Sequence, residues 1–218
     1  MKADAVIFDL DGVLVDSMPT HVKCWQQAFG TIGLSIAAGE FYRLEGMRGH
    51  ELVRKILLEK GLPADKETIS MVEKEKAKIL AVMRKPEPLV TLEMLERIRI
   101  PRAVVSGSGR SDVDLMLEEA FGSSLFEAIV TADDVYRGKP DPAAFREAAH
   151  TLGVDGGKVM VVENAPLGAL AARDAGMECF IALNNSPLPR AEFDGLVPAE
   201  RIFETTDAVL RHLVRIGI

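Results

Sequence analysis

Two carboxylates spaced two residues apart, Asp9 and Asp11, end a short apolar run near the start of the chain, and Gly12 follows at once. The run from Ala5 to Phe8 reads as a buried strand. Side chains at i and i+2 of a strand share a face, so both acids address one spot beyond its end. Like charges at that range resist ionising together. A hard divalent cation such as Mg2+, which prefers carboxylate and carbonyl oxygens, relieves that cost. Gly12 allows the tight turn that must follow.

Three further clusters end later strands: Ser106-Gly107-Ser108-Gly109, Gly138-Lys139-Pro140-Asp141-Pro142 and Glu163-Asn164. Each suits a step of phosphoryl transfer. Asp9 is a candidate nucleophile, forming an aspartyl-phosphate. Asp11 is a candidate general acid and base, protonating the leaving oxygen and then activating water. Ser106, with the backbone N–H groups of Gly107 and Ser108, suits phosphate oxygens, helped by the start of the next helix. Lys139 would neutralise charge on nucleophile and phosphate. Glu163 and Asn164 would complete a Mg2+ site with Asp9 and the main-chain carbonyl of Asp11. Each cluster alone also has a plainer reading: a turn at 106–109, a surface lysine at 139, and a helix cap in which Asn164 stands near the N-cap of a helix opening at Pro166. Their joint order at successive strand ends points to one site.

The elements that must position these residues follow from periodicity. After the opening strand, residues 17 to about 85 read as helical. His21, Cys24, Trp25, Ala28 and Phe29 recur at helical spacing, with Pro19 in a first-turn position. Leu52, Val53, Ile56 and Leu57 give a second helix near 49–60, stopped by Gly61. A third covers about 65–83, with Ile69, Val72, Ile79, Leu80 and Met83, and its lysines read as a solvated face. Lys85-Pro86-Glu87-Pro88 reads as a stiff linker. Strands are expected at 102–105, 128–130, 158–162, 178–183 and 202–203. They alternate with helices near 91, 111–120, 142–152, 166–175 and 206–215. This alternation predicts an α/β fold with a parallel sheet. The helical block leaves just after the acid pair, so it sits over the strand ends, where parallel sheets bind ligands.

Composition narrows the function. The 218 residues are 48% hydrophobic and 27% charged, enough for a main domain with an insert. A net charge of −7 argues against nucleic acid as the partner, since phosphate backbones need a basic face, but leaves a small anionic substrate open. Cys24 and Cys179 have no metal-ligand spacing and read as reduced thiols. No apolar run has membrane-spanning length, and Met1-Lys2-Ala3-Asp4 does not open like a signal peptide. A cytoplasmic monomer is expected. His50, His150 and His212 form no cluster and read as surface residues.

The motifs together resemble the haloacid dehalogenase superfamily, in its β-phosphoglucomutase-like and phosphoglycolate-phosphatase-like subgroup. The resemblance rests on Asp9-Leu10-Asp11-Gly12-Val13-Leu14-Val15-Asp16-Ser17, Val104-Val105-Ser106-Gly107-Ser108, Gly138-Lys139-Pro140-Asp141-Pro142 and Val161-Val162-Glu163-Asn164-Ala165-Pro166-Leu167-Gly168. It covers essentially the whole chain. It implies a Rossmann-like core (1–16 and 87–218), a four-helix cap (17–86), a Mg2+ cofactor and an aspartyl-phosphate intermediate. An acid at Asp11 points to phosphate transfer rather than dehalogenation. The family's fourth motif usually ends in two acids; here the second is Asn164, one negative charge short. His21 falls where mutase-like members carry a histidine facing the site. Gly46-Met47-Arg48-Gly49-His50-Glu51 resembles the specificity loop, in which Arg48 is a candidate contact for a substrate phosphate or carboxylate. Arg48 lies one place before the mutase arginine, so a mutase would need Arg48 or a cap lysine such as Lys76 as second anchor. The leading expectation is a Mg2+-dependent phosphatase of small phosphorylated metabolites such as phosphoglycolate or sugar phosphates. The alternatives are a sugar phosphomutase and a non-catalytic phosphometabolite-binding protein.

Overall fold

The computed structural model describes residues 3–83, 87–122 and 125–218; Lys85 and Pro86 of the expected linker lie outside them. Among the described residues six strands form one sheet: β1 (Ala5–Asp9), β2 (Arg102–Val105), β3 (Ala128–Val130), β4 (Val159–Glu163), β5 (Glu178–Ala182) and β6 (Ile202–Phe203). Their spatial order is β3-β2-β1-β4-β5-β6, and every pairing is parallel. The first strand is thus central. Chain order reverses direction on either side of it, and such a switch point opens a crevice at the strands' carboxyl ends.

The strands are apolar because both faces are covered. Val6, Phe8, Val104, Met160, Val162 and Phe180 face one core, shared with α5 (Leu92–Glu96), α6 (Arg110–Phe121) and α9 (Thr206–Arg215). Ala5, Ile7, Ala103, Val105, Val161 and Ile181 face the other, against α7 (Ala143–Leu152) and α8 (Pro166–Asp174). The result is a Rossmann-like three-layer sandwich. Caps set several helix starts: the Thr91 and Thr205 side chains accept from Met94 N–H and Ala208 N–H at 3.2 and 3.1 Å.

Four helices, α1 (Met18–Gly30), α2 (Ala38–Arg43), α3 (Gly49–Glu59) and α4 (Lys66–Leu80), form a cap inserted after β1. They have their own core, in which Trp25, Phe29 and Phe41 stack with ring centroids 6.1 and 6.0 Å apart; such pairs add about 0.5–1.5 kcal/mol each beyond area burial. Periodicity alone finds three of the four. The second has six residues and buries only Phe41, too little for a repeating pattern. The stem of the cap is short: Asp16 N–H donates to Glu87 O, and Leu89 N–H to Leu14 O, both at 2.8 Å.

Three local expectations change. The fourth helix ends at Leu80 instead of Met83. His212 is half-buried against Phe203, with ring centroids 5.2 Å apart, whereas His50 and His150 are exposed. Ala165, not Asn164, holds the N-cap position of α8. Both cysteines are buried and free. No helix among the described residues is long and apolar enough to cross a membrane.

Candidate active site

The register brings the motif residues together. Asp9 pairs with Val105, placing Ser106 beside it on one side, and Phe8 pairs with Val162, placing Glu163 on the other. Gly12 takes φ +82°, and a Cβ there would lie 2.2 Å from Asn164 Nδ2, so the first-motif loop turns tightly against the fourth motif. Asn184 Nδ2 donates to Gly12 O at 2.8 Å, and Thr206 Oγ1 donates to Val13 O at 2.8 Å. Sequence reasoning did not single out either residue. Asn184 carries a small signal: it heads an Asn-Asn pair at a strand end, and both asparagines have positive φ.

The two aspartates sit in opposite surroundings. Asp9 is fully buried; its Oδ1 accepts from Lys139 Nζ, while its Oδ2 has no partner. Burial pushes its carboxyl well above the ordinary range, opposed by Lys139 and reinforced by Glu163 and Asp11. Around Asp11, Ser17 Oγ donates to Oδ1 at 2.5 Å and His21 Nε2 lies 3.2 Å from the same oxygen. Ser106 Oγ and Ser108 Oγ donate to Oδ2 at 3.1 and 3.2 Å. Burial opposes charge here too, but His21, Ser17 and Ser106 outweigh it and hold the Asp11 carboxyl below the ordinary range. The two serines expected to hold phosphate thus also clasp Asp11, and Ser17 is a partner that was not anticipated.

Lys139 is buried, with Nζ on Asp9 and 2.5 Å from Glu163 Oε1, above the Phe145 ring at 5.1 Å. Burial alone would lower an ammonium's pKa; the surrounding carboxylates raise it above its ordinary value instead. Glu163 Oε2 accepts from Asn164 N–H and Ala165 N–H at 2.8 and 3.1 Å. Asn164 is not a helix cap: its Nδ2 donates to Asp11 O at 3.1 Å, and its buried Oδ1 has no partner.

Across from this wall stands the cap. Glu45, absent from the sequence reading, is 8% exposed and lies with Asp9 and Glu163 in a group whose carboxylate oxygens fall within 4.8 Å of one another. Its one signal is position, as an acid adjoining the specificity loop at Gly46. Gly46 O accepts from Lys139 N–H at 3.1 Å, and a Cβ on Gly107 would lie 2.9 Å from Gly46 O, so the cap seats directly on the 106–109 loop. Arg48 lines the cavity between cap and core, with its Nη1 donating to Val135 O and Tyr136 O at 3.1 and 2.7 Å. Lys76 leaves the solvated face expected of it. It lies half-buried over Trp25 at 5.4 Å from the ring centroid, and burial lowers its pKa. A cavity of about 370 Å3 between cap and core is lined by Asp11, His21, Glu73, Lys76, Ser108 and Asp112, among others.

A divalent cation fits this donor set. Among the described residues, the buried oxygens Asp9 Oδ2, Glu45 Oε2 and Asn164 Oδ1 lack a donor, and all are hard ligands of the kind Mg2+ takes.

Comparison with known proteins agrees with this geometry. The chain is 31% identical over 174 residues to fructose-1-phosphate phosphatase YqaB of Escherichia coli, covering 79% of this chain and 93% of that one. It is 30% identical over 190 residues to hexitol phosphatase A of the same organism, covering 86% and 85%. A crystal structure of a hydrolase from Pseudomonas syringae superposes with a TM-score of 0.89 at 25% identity, covering 99% of this chain and 100% of that one. The family profile of the haloacid dehalogenase-like hydrolases matches residues 3–176, and the chain, with its parallel-sheet core and inserted helical cap, belongs to that family.

Proposed function

We propose that the protein is a Mg2+-dependent phosphatase of phosphorylated carbohydrates, sugar or polyol monophosphates, acting through a phosphorylated Asp9. The observation that carries this reading is the split between the aspartates: one buried against an ammonium, the other clasped by four donors.

In the proposed reaction an Asp9 carboxylate oxygen attacks phosphorus, and the bond from phosphorus to the ester oxygen breaks. Asp11, a carboxylate in the free site, passes to that oxygen the proton brought by the monoanionic phosphate ester, so the carbohydrate leaves as an alcohol. Asp11, again a carboxylate, takes a proton from water as the water attacks the aspartyl-phosphate and returns it to the phosphate. Inorganic phosphate leaves and Asp9 is regenerated. Ser106, Ser108 and the Gly107 backbone hold the phosphoryl oxygens, and Lys139 offsets the charge gathering on them. Bound to Asp9, Asn164 and the Asp11 carbonyl, Mg2+ would supply positive charge to the phosphoryl group. His21 orients Asp11, and the closed cap excludes bulk water.

The cavity suits a hydroxyl-rich leaving group. Glu73 and Asp112 offer acceptors to hydroxyls, beside Lys76 and Arg48 as donors in the same cavity. Arg48 Nη1 is engaged by main-chain carbonyls, which supports hydrolysis over mutase chemistry. The names of the two Escherichia coli relatives support the same class. The test is phosphate release from a panel of sugar, polyol and carboxylate monophosphates with and without Mg2+. Sugar or polyol esters should give the highest kcat/KM. Isomerised monophosphate formed in the presence of a sugar bisphosphate would favour the mutase, and ligand binding without Mg2+-dependent phosphate release would favour a non-catalytic binder.

A further inference from the structure

We propose that Glu45 is a metal ligand delivered by the cap, so that cap closure completes the divalent-cation site and the bound cation holds the cap shut. Three observations converge. First, Glu45 belongs to the loop between α2 and α3, on the cap, yet its carboxylate joins Asp9 and Glu163 within 4.8 Å. Second, its Oε2 is buried without a donor, as are Asp9 Oδ2 and Asn164 Oδ1. Lys139 bonds the other oxygen of Asp9 and one of Glu163, so its ammonium is already shared. Third, the neighbouring Gly46 is pinned to Lys139 N–H, which fixes where Glu45 sits when the cap is closed.

Charge explains why an acid belongs there. Asp9, Glu45 and Glu163 crowd one ammonium in a buried volume, where burial disfavours their ionisation, and a divalent cation would hold them as carboxylates. Asn164 brings an amide oxygen where the family pattern has a carboxylate. Glu45 restores the missing charge from the opposite wall. A core-borne acid would make the site independent of the cap; a cap-borne one links cation affinity to closure, and the linkage is reciprocal.

The inference rests on the phosphatase reading only for the choice of cation. It is tested without substrate, by calorimetric titration of the full chain with MgCl2 and MnCl2. Glu45→Gln keeps the shape of a neutral acid and removes the charge; it should weaken cation binding at least about tenfold, equivalent to about 1.4 kcal/mol. Asn164→Asp should tighten binding, and Glu45→Gln with Asn164→Asp should return it close to wild type. In hydrogen exchange, adding Mg2+ should slow residues 44–50 and 135–139 of the wild type and of Asn164→Asp, but not of Glu45→Gln. Equal affinity in Glu45→Gln and wild type overturns the proposal. So does wild-type cap exchange that ignores Mg2+, a measurement that stands even where the variant does not fold. Cation-linked cap protection in a wild type without phosphatase activity would sink the phosphatase reading alone. Mg2+-dependent turnover with unchanged affinity in Glu45→Gln would sink this inference alone.

Discussion

The two walls of the cavity are built on different principles. On the core wall the charged groups hold one another: Asp11 has four donors, Glu163 accepts from Lys139 and two amides, and Lys139 spans two carboxylates. On the cap wall, Lys76 rests on an aromatic face and Glu45 keeps an oxygen without a donor, facing the donor-less oxygens of Asp9 and Asn164 on the core side. The core wall is preorganised, as groups that touch the reacting phosphorus must be. The cap wall is arranged to meet whatever lies in the cavity. Changes to the core should therefore remove chemistry, and changes to the cap should alter binding and closure.

The strongest test of that division is Asp9→Asn. The amide keeps the shape and loses the nucleophile, so phosphate release should fall at least about 10^4-fold, with a melting temperature no lower than wild type. Residual turnover near wild type would remove the covalent route. Lys139→Met comes next. It strands Asp9 and Glu163 without their shared ammonium in a buried volume, which costs about 3–5 kcal/mol. Denaturant unfolding should show that loss, together with loss of turnover. A variant as stable as wild type would mean that the core wall does not depend on this triad.

Gly107→Ala probes where the walls meet. Its methyl would meet Gly46 O at 2.9 Å and keep the cap from seating. Misplacement on this scale costs about 10^2-fold in kcat/KM, while the sheet, not involved in the contact, should melt as before. Unchanged kcat/KM would show that chemistry proceeds without the cap seated. Lys76→Met alters the cap wall alone. It should raise KM for a sugar monophosphate about tenfold, in line with a charged hydrogen bond of about 1.5–3 kcal/mol, and leave kcat within a few fold. A fall in kcat with unchanged KM would move Lys76 into the chemistry.

The same division decides what can be read from sequence. Asp9, Ser106 and Glu163 sit at or just past the ends of adjacent parallel strands, and a parallel sheet carries consecutive strand ends to one edge. Once the strands are recognised by their apolar runs, the convergence follows. Gly138-Lys139 lies on a loop, yet its place between recognisable strand and helix brings it to the same edge. The cap offers no such rule. Whether Glu45 reaches Asp9 depends on how the short second helix packs and how the whole cap seats. Lys76 looks solvated because its neighbours on α4, Lys74 and Lys78, are; only the docking of α4 beside Trp25 turns it inward. Arg48 lines the cavity, and the nearness of the 135–136 carbonyls, a tertiary matter, adds partners that its place in the loop does not reveal.

The smallest expected effect concerns how far core bracing extends, and Asp134 tests it at the loop that receives the cap. Its Oδ2 accepts from Thr131 N–H at 2.7 Å, Thr131 Oγ1 at 2.8 Å and Arg110 Nη2 at 2.5 Å. Burial disfavours its charge, but these donors outweigh burial and lower its pKa below 3.8. A carboxylate with a depressed folded pKa stabilises the protein above its unfolded pKa, and that stability is lost as pH falls through the folded value. At 36% side-chain exposure, solvent screening limits the contribution to about 0.5–1 kcal/mol. Asp134→Asn should therefore lose about that much in urea unfolding at pH 7, and the difference from wild type should shrink toward pH 3. Because Val135 and Tyr136 carry the carbonyls that hold Arg48, the variant should also speed hydrogen exchange at 135–139. If stability falls while exchange there does not change, bracing ends at Asp134 and Arg48 alone positions the loop against the cap.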